Sequence, residues 1–110
     1  MGKLLPSWDE FKYCLPSILR STVLGASLGI LPGGGALLGS FGSYAVEKKV
    51  AKDPTRFGHG AIEGVAGPES ANNAAAAGSL IPLLSLGIPP NPIMAIFFSA
   101  LLIHGLQPGP

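Results

Sequence analysis

The sequence predicts an all-α integral membrane segment of discontinuous, Gly/Pro-broken transmembrane or re-entrant helices, and three observations carry that prediction. The seven Lys and Arg and six Asp and Glu of the 110 residues fall between Lys3 and Arg20 or between Glu47 and Glu69. The runs between and after these clusters, Ser21 to Val46 and Ser70 to Pro110, hold no charged side chain. A soluble domain of this size needs charge over its surface, whereas a bilayer asks for about 18 or more apolar residues in a row. Each run is then interrupted, by Leu31-Pro32-Gly33-Gly34-Gly35 and by Gly87-Ile88-Pro89-Pro90-Asn91-Pro92. A half-helix of ~10 residues reaches about 15 Å, close to the bilayer midplane. Non-helical backbone persists at that depth only where protein or a water-filled cavity satisfies it.

Composition removes several other classes. Gly 16 and Pro 11 would suggest disorder in a polar chain, but 47% hydrophobic and 12% charged residues exclude it. A net charge of +1 is too even for an electrostatic nucleic-acid binder, and Cys14 alone forms no intrachain disulfide.

Residues 1–20 read as an amphipathic interfacial helix. Met1 to Pro6 is not patterned as a signal peptide, since Lys3 precedes only two apolar residues before Pro6. Ser7 and Glu10 form a capping box, Trp8, Phe11, Leu15 and Ile18 share one side, Pro16 is expected to kink the helix, and Arg20 ends it. Residues 21–46 form a broken helix or re-entrant hairpin. Gly25, Gly29, Gly33, Gly35, Gly39 and Ser43 run at near four-residue spacing, which lets helices approach closely in lipid. The glycines match neither a P-loop nor G-x-G-x-x-G, so a soluble nucleotide-binding domain is the weakest reading.

Residues 47–60 form a basic loop whose Lys48, Lys49, Lys52 and Arg56 place it in the cytoplasm. A hairpin over 21–46 puts Lys3, Lys12 and Arg20 on that same side, and the charge distribution prefers it. Residues 61–110 hold further membrane helices around the second break. Pro68 suits a first helical turn there, with Glu69 at the positive end. Glu69, Asn72 and Asn73 share a face as candidate cation or substrate contacts, or as interhelical hydrogen-bonders, while Ala71, Ala75 and Ser79 form a small-residue stripe. His104 within its apolar half-helix is read as an interhelical hydrogen-bonder. No catalytic constellation and no metal-ligand spacing is present, so the chain reads as no enzyme.

The two breaks are alike. Ser27-Leu28-Gly29-Ile30-Leu31-Pro32 and Ser85-Leu86-Gly87-Ile88-Pro89-Pro90 differ at one position, as two equivalent loops facing one site would. Chance in a Leu/Gly/Pro-rich chain is the alternative.

These strings, with Arg56-Phe57-Gly58-His59-Gly60-Ala61-Ile62-Glu63-Gly64-Val65, Gly67-Pro68-Glu69-Ser70-Ala71-Asn72-Asn73-Ala74 and Gly105-Leu106-Gln107-Pro108-Gly109-Pro110, closely resemble the large membrane subunit of tripartite tricarboxylate transporters, the TctA family. The resemblance implies a fragment from the start of the second half of a longer, multi-pass permease in the bacterial inner membrane. It implies ion-gradient-driven uptake of tricarboxylates or other small carboxylates, coupled to Na+ or H+ and without a cofactor. The implied partners are the rest of the permease chain, a small membrane subunit, a periplasmic solute-binding protein and the lipid bilayer.

By that resemblance Pro32, Gly33, Gly34 and Gly35 in the first loop, and Gly87, Ile88, Pro89 and Asn91 in the second, contact substrate. The second loop departs from the commoner family form Ile-Pro-Gly-Ser. Pro90 and Pro92 bring no N–H, which leaves the Asn91 amide as a substitute donor. The competing reading is a non-transporting membrane remnant that only binds partner subunits.

Overall fold

The computed structural model describes residues 4–110, so the reading of Met1 to Lys3 lies outside the described residues. The described residues are all helical, with no strand: α1 (Trp8–Ile30), α2 (Gly35–Val50), a 3-10 turn (Pro54–Arg56), α3 (Glu63–Gly78), α4 (Leu80–Leu86) and α5 (Pro92–Ile103). None of these helices is long and apolar enough to cross a membrane.

α1 starts on the predicted capping box. The Ser7 hydroxyl accepts from the Glu10 N–H, and the Glu10 carboxylate accepts from the Ser7 N–H at 2.7 Å. The helix then runs through Pro16 and past Arg20 to Ile30, ten residues beyond the expected stop. Ser17, Ser21, Gly25 and Gly29 are its buried stripe, and that packing holds the helix together across Arg20. The Leu31 to Gly34 turn reverses the chain, and α2 returns antiparallel: Arg20 meets Glu47 and Ser21 meets Ser43. Residues 21–46 therefore form a helical hairpin, and the charged ends of α1 and α2 lie together. Glu47, Lys48 and Lys49, read as loop, occupy the last turn of α2, where the lysines face the negative helix end.

α3 fills the groove of that hairpin. It begins at Glu63, five residues before Pro68, so Pro68 sits inside the helix and Glu63 rather than Glu69 is the acid of its first turn. Its Ala71, Ala75 and Ser79 are fully buried, as the small-residue stripe predicts. Backbones touch: a Cβ built on Gly25 would lie 2.1 Å from the Ala71 carbonyl oxygen, and one on Gly29 would lie 2.3 Å from that of Ala75. Among the described residues Leu83 of α4 is the one large apolar side chain that is fully buried; Ser21, Ser43 and Ser79 are the next in size. The seam between α1, α2 and α3 is made mostly of Gly, Ala and Ser, and its stability comes from backbone proximity rather than from interlocked large side chains.

The outside is apolar. The accessible surface is 7418 Å², against about 5,700 Å² for a compact monomer of this mass. α5 carries no buried residue, and its Ile93 and Ile103 are 74% and 83% exposed. His104 lies exposed at the C-terminal end of α5 rather than packed between helices.

The 3-10 turn between α2 and α3 is capped by Asp53, which accepts from the Thr55 hydroxyl and N–H. These bonds, the hydroxyl first, hold the Asp53 carboxyl below the usual carboxylate range. A depressed folded-state value means that the cap contributes fully above the ordinary carboxylate range and is lost as pH falls through the depressed value. The Thr55 amide resonance should therefore titrate below the ordinary range by NMR, and Asp53→Asn should abolish that titration. A Thr55 midpoint at or above the ordinary carboxylate value would contradict the cap.

Candidate functional site

The two interrupted segments meet. The first loop leaves α1 at Leu31, whose N–H bonds the Leu28 carbonyl, and Gly33 takes a left-handed φ of 108°. Its N–H donates to the Pro90 carbonyl of the second loop at 2.9 Å. A proline at that point offers a carbonyl without a competing donor, so the contact joins the loops in one direction only. The other residues of the first loop open α2. Gly34 is its N-cap and brings no side chain to cap it, so the first N–H groups of α2 have no side-chain cap at the positive end of the helix dipole.

The second loop begins where Gly87, at φ 69°, closes α4 with its N–H on the Leu83 carbonyl. Ile88 turns back to the Pro82 carbonyl, and Pro89 and Pro90 carry the chain to Asn91. The Asn91 carbonyl side-chain oxygen accepts from the Met94 N–H at 2.9 Å, capping α5 behind Pro92 in its first turn. The amide nitrogen of the same side chain lies 3.5 Å from where a Gly35 Cβ would sit. Asn91 thus divides its two polar atoms: the oxygen holds α5, and the nitrogen stands beside the start of α2.

The chain end, Pro108-Gly109-Pro110, is a third cluster of Gly and Pro in the sequence, and it joins this group. Gly109 donates to the Leu84 carbonyl at 3.1 Å, and the Pro108 carbonyl packs against Gly87, 2.9 Å from where its Cβ would be. Gly87 is glycine both for its φ and for that close approach.

Glu69, Asn72 and Asn73 lie elsewhere, along α3. The Asn73 amide donates to the Glu69 carbonyl at 2.9 Å and to its carboxylate at 3.2 Å, on an exposed face, while Asn72 is half-buried. None of the three takes part in a hydrogen bond between the loops.

A second polar group closes the opposite end of the bundle, around a cavity of about 420 Å³ lined by Tyr13, Ser17, Arg20, Glu47, Arg56 and Glu63 among others. Arg20 grips Glu47 with both prongs, Nη2 to Oε2 at 2.7 Å and Nε to Oε1 at 3.2 Å. Ser21 adds a bond to Glu47 at 3.4 Å and shares a 2.6 Å bond with Ser43. Glu63 Oε1 accepts from the Tyr13 hydroxyl at 3.3 Å and pairs with Arg56 at 3.5 Å. The bond to Tyr13, and then the Glu63 charge, raise the pKa of the Arg56 guanidinium. Sequence reasoning missed Glu47 and Glu63 as buried groups, although they continue the four-residue stripes of α2 and α3 by one step.

Two curated relatives from Agrobacterium vitis match the chain. The "uncharacterized 52.8 kDa protein in TAR-I ttuC' 3'region" is 57% identical over 104 residues, which is 94% of this chain and 21% of the relative. The "uncharacterized protein in TAR-II ttuC' 3'region" is 64% identical over 86 residues, 78% of this chain and 36% of the relative. The chain thus spans about a fifth and about a third of their lengths, and no solved structure matches it. The family model described as "Tripartite tricarboxylate transporter TctA family" matches residues 1–110, and the chain belongs to that family.

Proposed function

We propose that this chain forms part of the permease subunit of an ion-gradient-driven secondary transporter for small carboxylates, and that its paired loops contact the substrate. The observation that carries the reading is the Gly33 to Pro90 hydrogen bond: two segments far apart in sequence, each an interruption of an apolar run, come together beside the uncapped start of α2. A helix N-terminus offers N–H donors and partial positive charge, which suits a carboxylate. The Asn91 amide nitrogen adds a donor that the prolines around it lack. Family membership supports the transport class, and the meeting of the two loops supports reading them as the substrate contacts.

The seam of Gly, Ala and Ser inside an apolar exterior supports a lipid or protein surround. In this reading the chain lies in the inner membrane, against the rest of the permease, with a small membrane subunit and a periplasmic binding protein as partners. Glu69, Asn72 and Asn73 are its candidate cation or substrate contacts on α3, and Na+ or H+ its coupling ion.

Uptake of labelled tricarboxylates and other small carboxylates into proteoliposomes, by a full-length permease carrying this segment, tests the loops. Gly33→Leu strains a left-handed residue that has open space around it, and Asn91→Leu removes both polar atoms. Each should lower uptake by at least about tenfold, the size of losing one or two charge-assisted hydrogen bonds. Unchanged uptake in both variants, with normal expression, would sink the assignment of the loops.

A further inference from the structure

We infer that the polar cavity at the end of the bundle away from the loops seats the phosphate of an anionic phospholipid, whose acyl chain runs along the apolar flank of the α1–α2 hairpin. The inference goes beyond the reading of the loops and shares with it only the lipid surround. The cavity lining carries three cations, Arg20, Lys52 and Arg56, and three acids, Glu47, Asp53 and Glu63, and burial separates them. The Glu47 and Glu63 side chains are 2% and 10% exposed, whereas those of Arg20 and Arg56 are 44% and 43% exposed. Lys52 is exposed as well. Asp53 is the exposed acid, and its carboxylate already accepts from the Thr55 hydroxyl and N–H. A ligand entering from outside therefore meets the cations first, and the buried acids hold the two guanidinium groups in place. Arg20 spends Nε and Nη2 on Glu47, and Arg56 spends Nη1 on Tyr13 and Glu63. Nη1 of the first and Nε and Nη2 of the second are left as donors. Lys52, with Lys48 and Lys49 just before it, forms no hydrogen bond or ion pair among the described residues.

The chemistry of the opening selects the ligand. Spare donors on two guanidinium groups and one ammonium call for an anion with several oxygens, which a phosphate supplies. The flank of the cavity selects what carries that phosphate. Pro16 and Val50 line the cavity beside the cations. Leu19 and Val23 on α1, and Val46 on α2, continue their faces at helical spacing in the direction away from the charged end, and all three are exposed. A free phosphate gains nothing from that strip, whereas an acyl chain covers it. Basic groups between helices at the charged end of an apolar bundle are where anionic lipid headgroups are held.

The test is a lipid titration of the full chain in non-ionic maltoside micelles, read by NMR at the Nε–H groups of Arg20 and Arg56. Phosphatidylglycerol should shift both resonances saturably, and phosphatidylcholine at the same mole fraction should not. Lys52→Gln removes a side chain that the fold does not use, and it should weaken the apparent affinity about fivefold, the size of one lysine–lipid contact. Lys12→Gln, on α1 but outside the cavity lining, should keep the affinity within about twofold. Inorganic phosphate should shift the same resonances only at concentrations at least about tenfold higher, because it leaves the apolar strip uncovered. Equal potency of inorganic phosphate and phosphatidylglycerol overturns the lipid assignment, and equal shifts with the two lipids overturn the selection by charge. Equal losses in Lys52→Gln and Lys12→Gln mean a general attraction to a charged surface and overturn the site. No shift with any of the three ligands overturns the inference whole and leaves the cations to an acidic protein segment.

Discussion

Gly25→Leu should leave α1 unable to pack on α3, and the chain should lose its cooperative unfolding transition in detergent. Even the first carbon of a side chain does not fit: a Cβ on Gly25 falls 2.1 Å from the Ala71 carbonyl oxygen and 2.6 Å from its Cα. Those atoms belong to a helix backbone, which cannot turn aside as a side chain does. Overpacking against movable side chains costs typically 1–3 kcal/mol, so a clash with fixed backbone should cost above about 3 kcal/mol, a large share of a total of roughly 5–15 kcal/mol.

Gly25→Ala is the milder form and should already destabilise by several kcal/mol. Gly42→Ala is its control. There the new methyl would lie 3.8 Å from Leu24 Cδ2 and Leu28 Cδ1, an ordinary contact, and the helix gains up to about 1 kcal/mol from losing a glycine. Denaturation midpoints measured side by side decide it: Gly25→Ala should fall and Gly42→Ala should hold or rise. Equal tolerance of the two would mean that the α1–α3 crossing is not the core.

That contrast also explains what could be read from the residues alone. The four-residue repeat of small side chains was visible as Gly25, Gly29, Gly39 and Ser43, and a repeat of that kind has few uses other than close helix contact. The likeness of the two Gly/Pro breaks was equally visible, and the structure joins them through Gly33 and Pro90. The ends of helices were less legible. Charged residues were read as boundaries, because a charge within an apolar run is expensive, so α1 was expected to stop at Arg20 and α2 before Glu47. Both helices run on because each charge has its partner on the other, 27 positions away in sequence. Pairing across a hairpin leaves no local mark. The burial of Glu63 is partly of the same kind: the stripe Gly67, Ala71, Ala75 extends back to it by one turn, and Arg56 comes from the turn just before α3, but its other partner, Tyr13, is 50 positions away.

The Arg20–Glu47 pair should respond very unequally to the loss of either member. Glu47 is 2% exposed, whereas the Arg20 side chain is 44% exposed. Arg20→Met strips the buried carboxylate of both guanidinium donors and leaves it the Ser21 hydroxyl at 3.4 Å, an uncompensated charge that should cost about 3–5 kcal/mol. Glu47→Gln instead frees a guanidinium that water can reach, and the neutral amide still accepts from it. Its cost should be only about 1 kcal/mol.

The double variant Arg20→Met/Glu47→Leu removes the buried charge along with its partner and should be more stable than Arg20→Met alone, because the desolvation penalty of Glu47 disappears. Thermal or denaturant midpoints of the three variants, measured side by side in detergent, give all three values. If Arg20→Met and Glu47→Gln cost the same, the carboxylate is reached by water through the cavity and the pair behaves as a surface ion pair. If the double variant is the least stable of the three, Glu47 contributes through its packing beside Gly67 and Ser21 at the stripe's end rather than through its charge, and the charged end of the hairpin is held by shape.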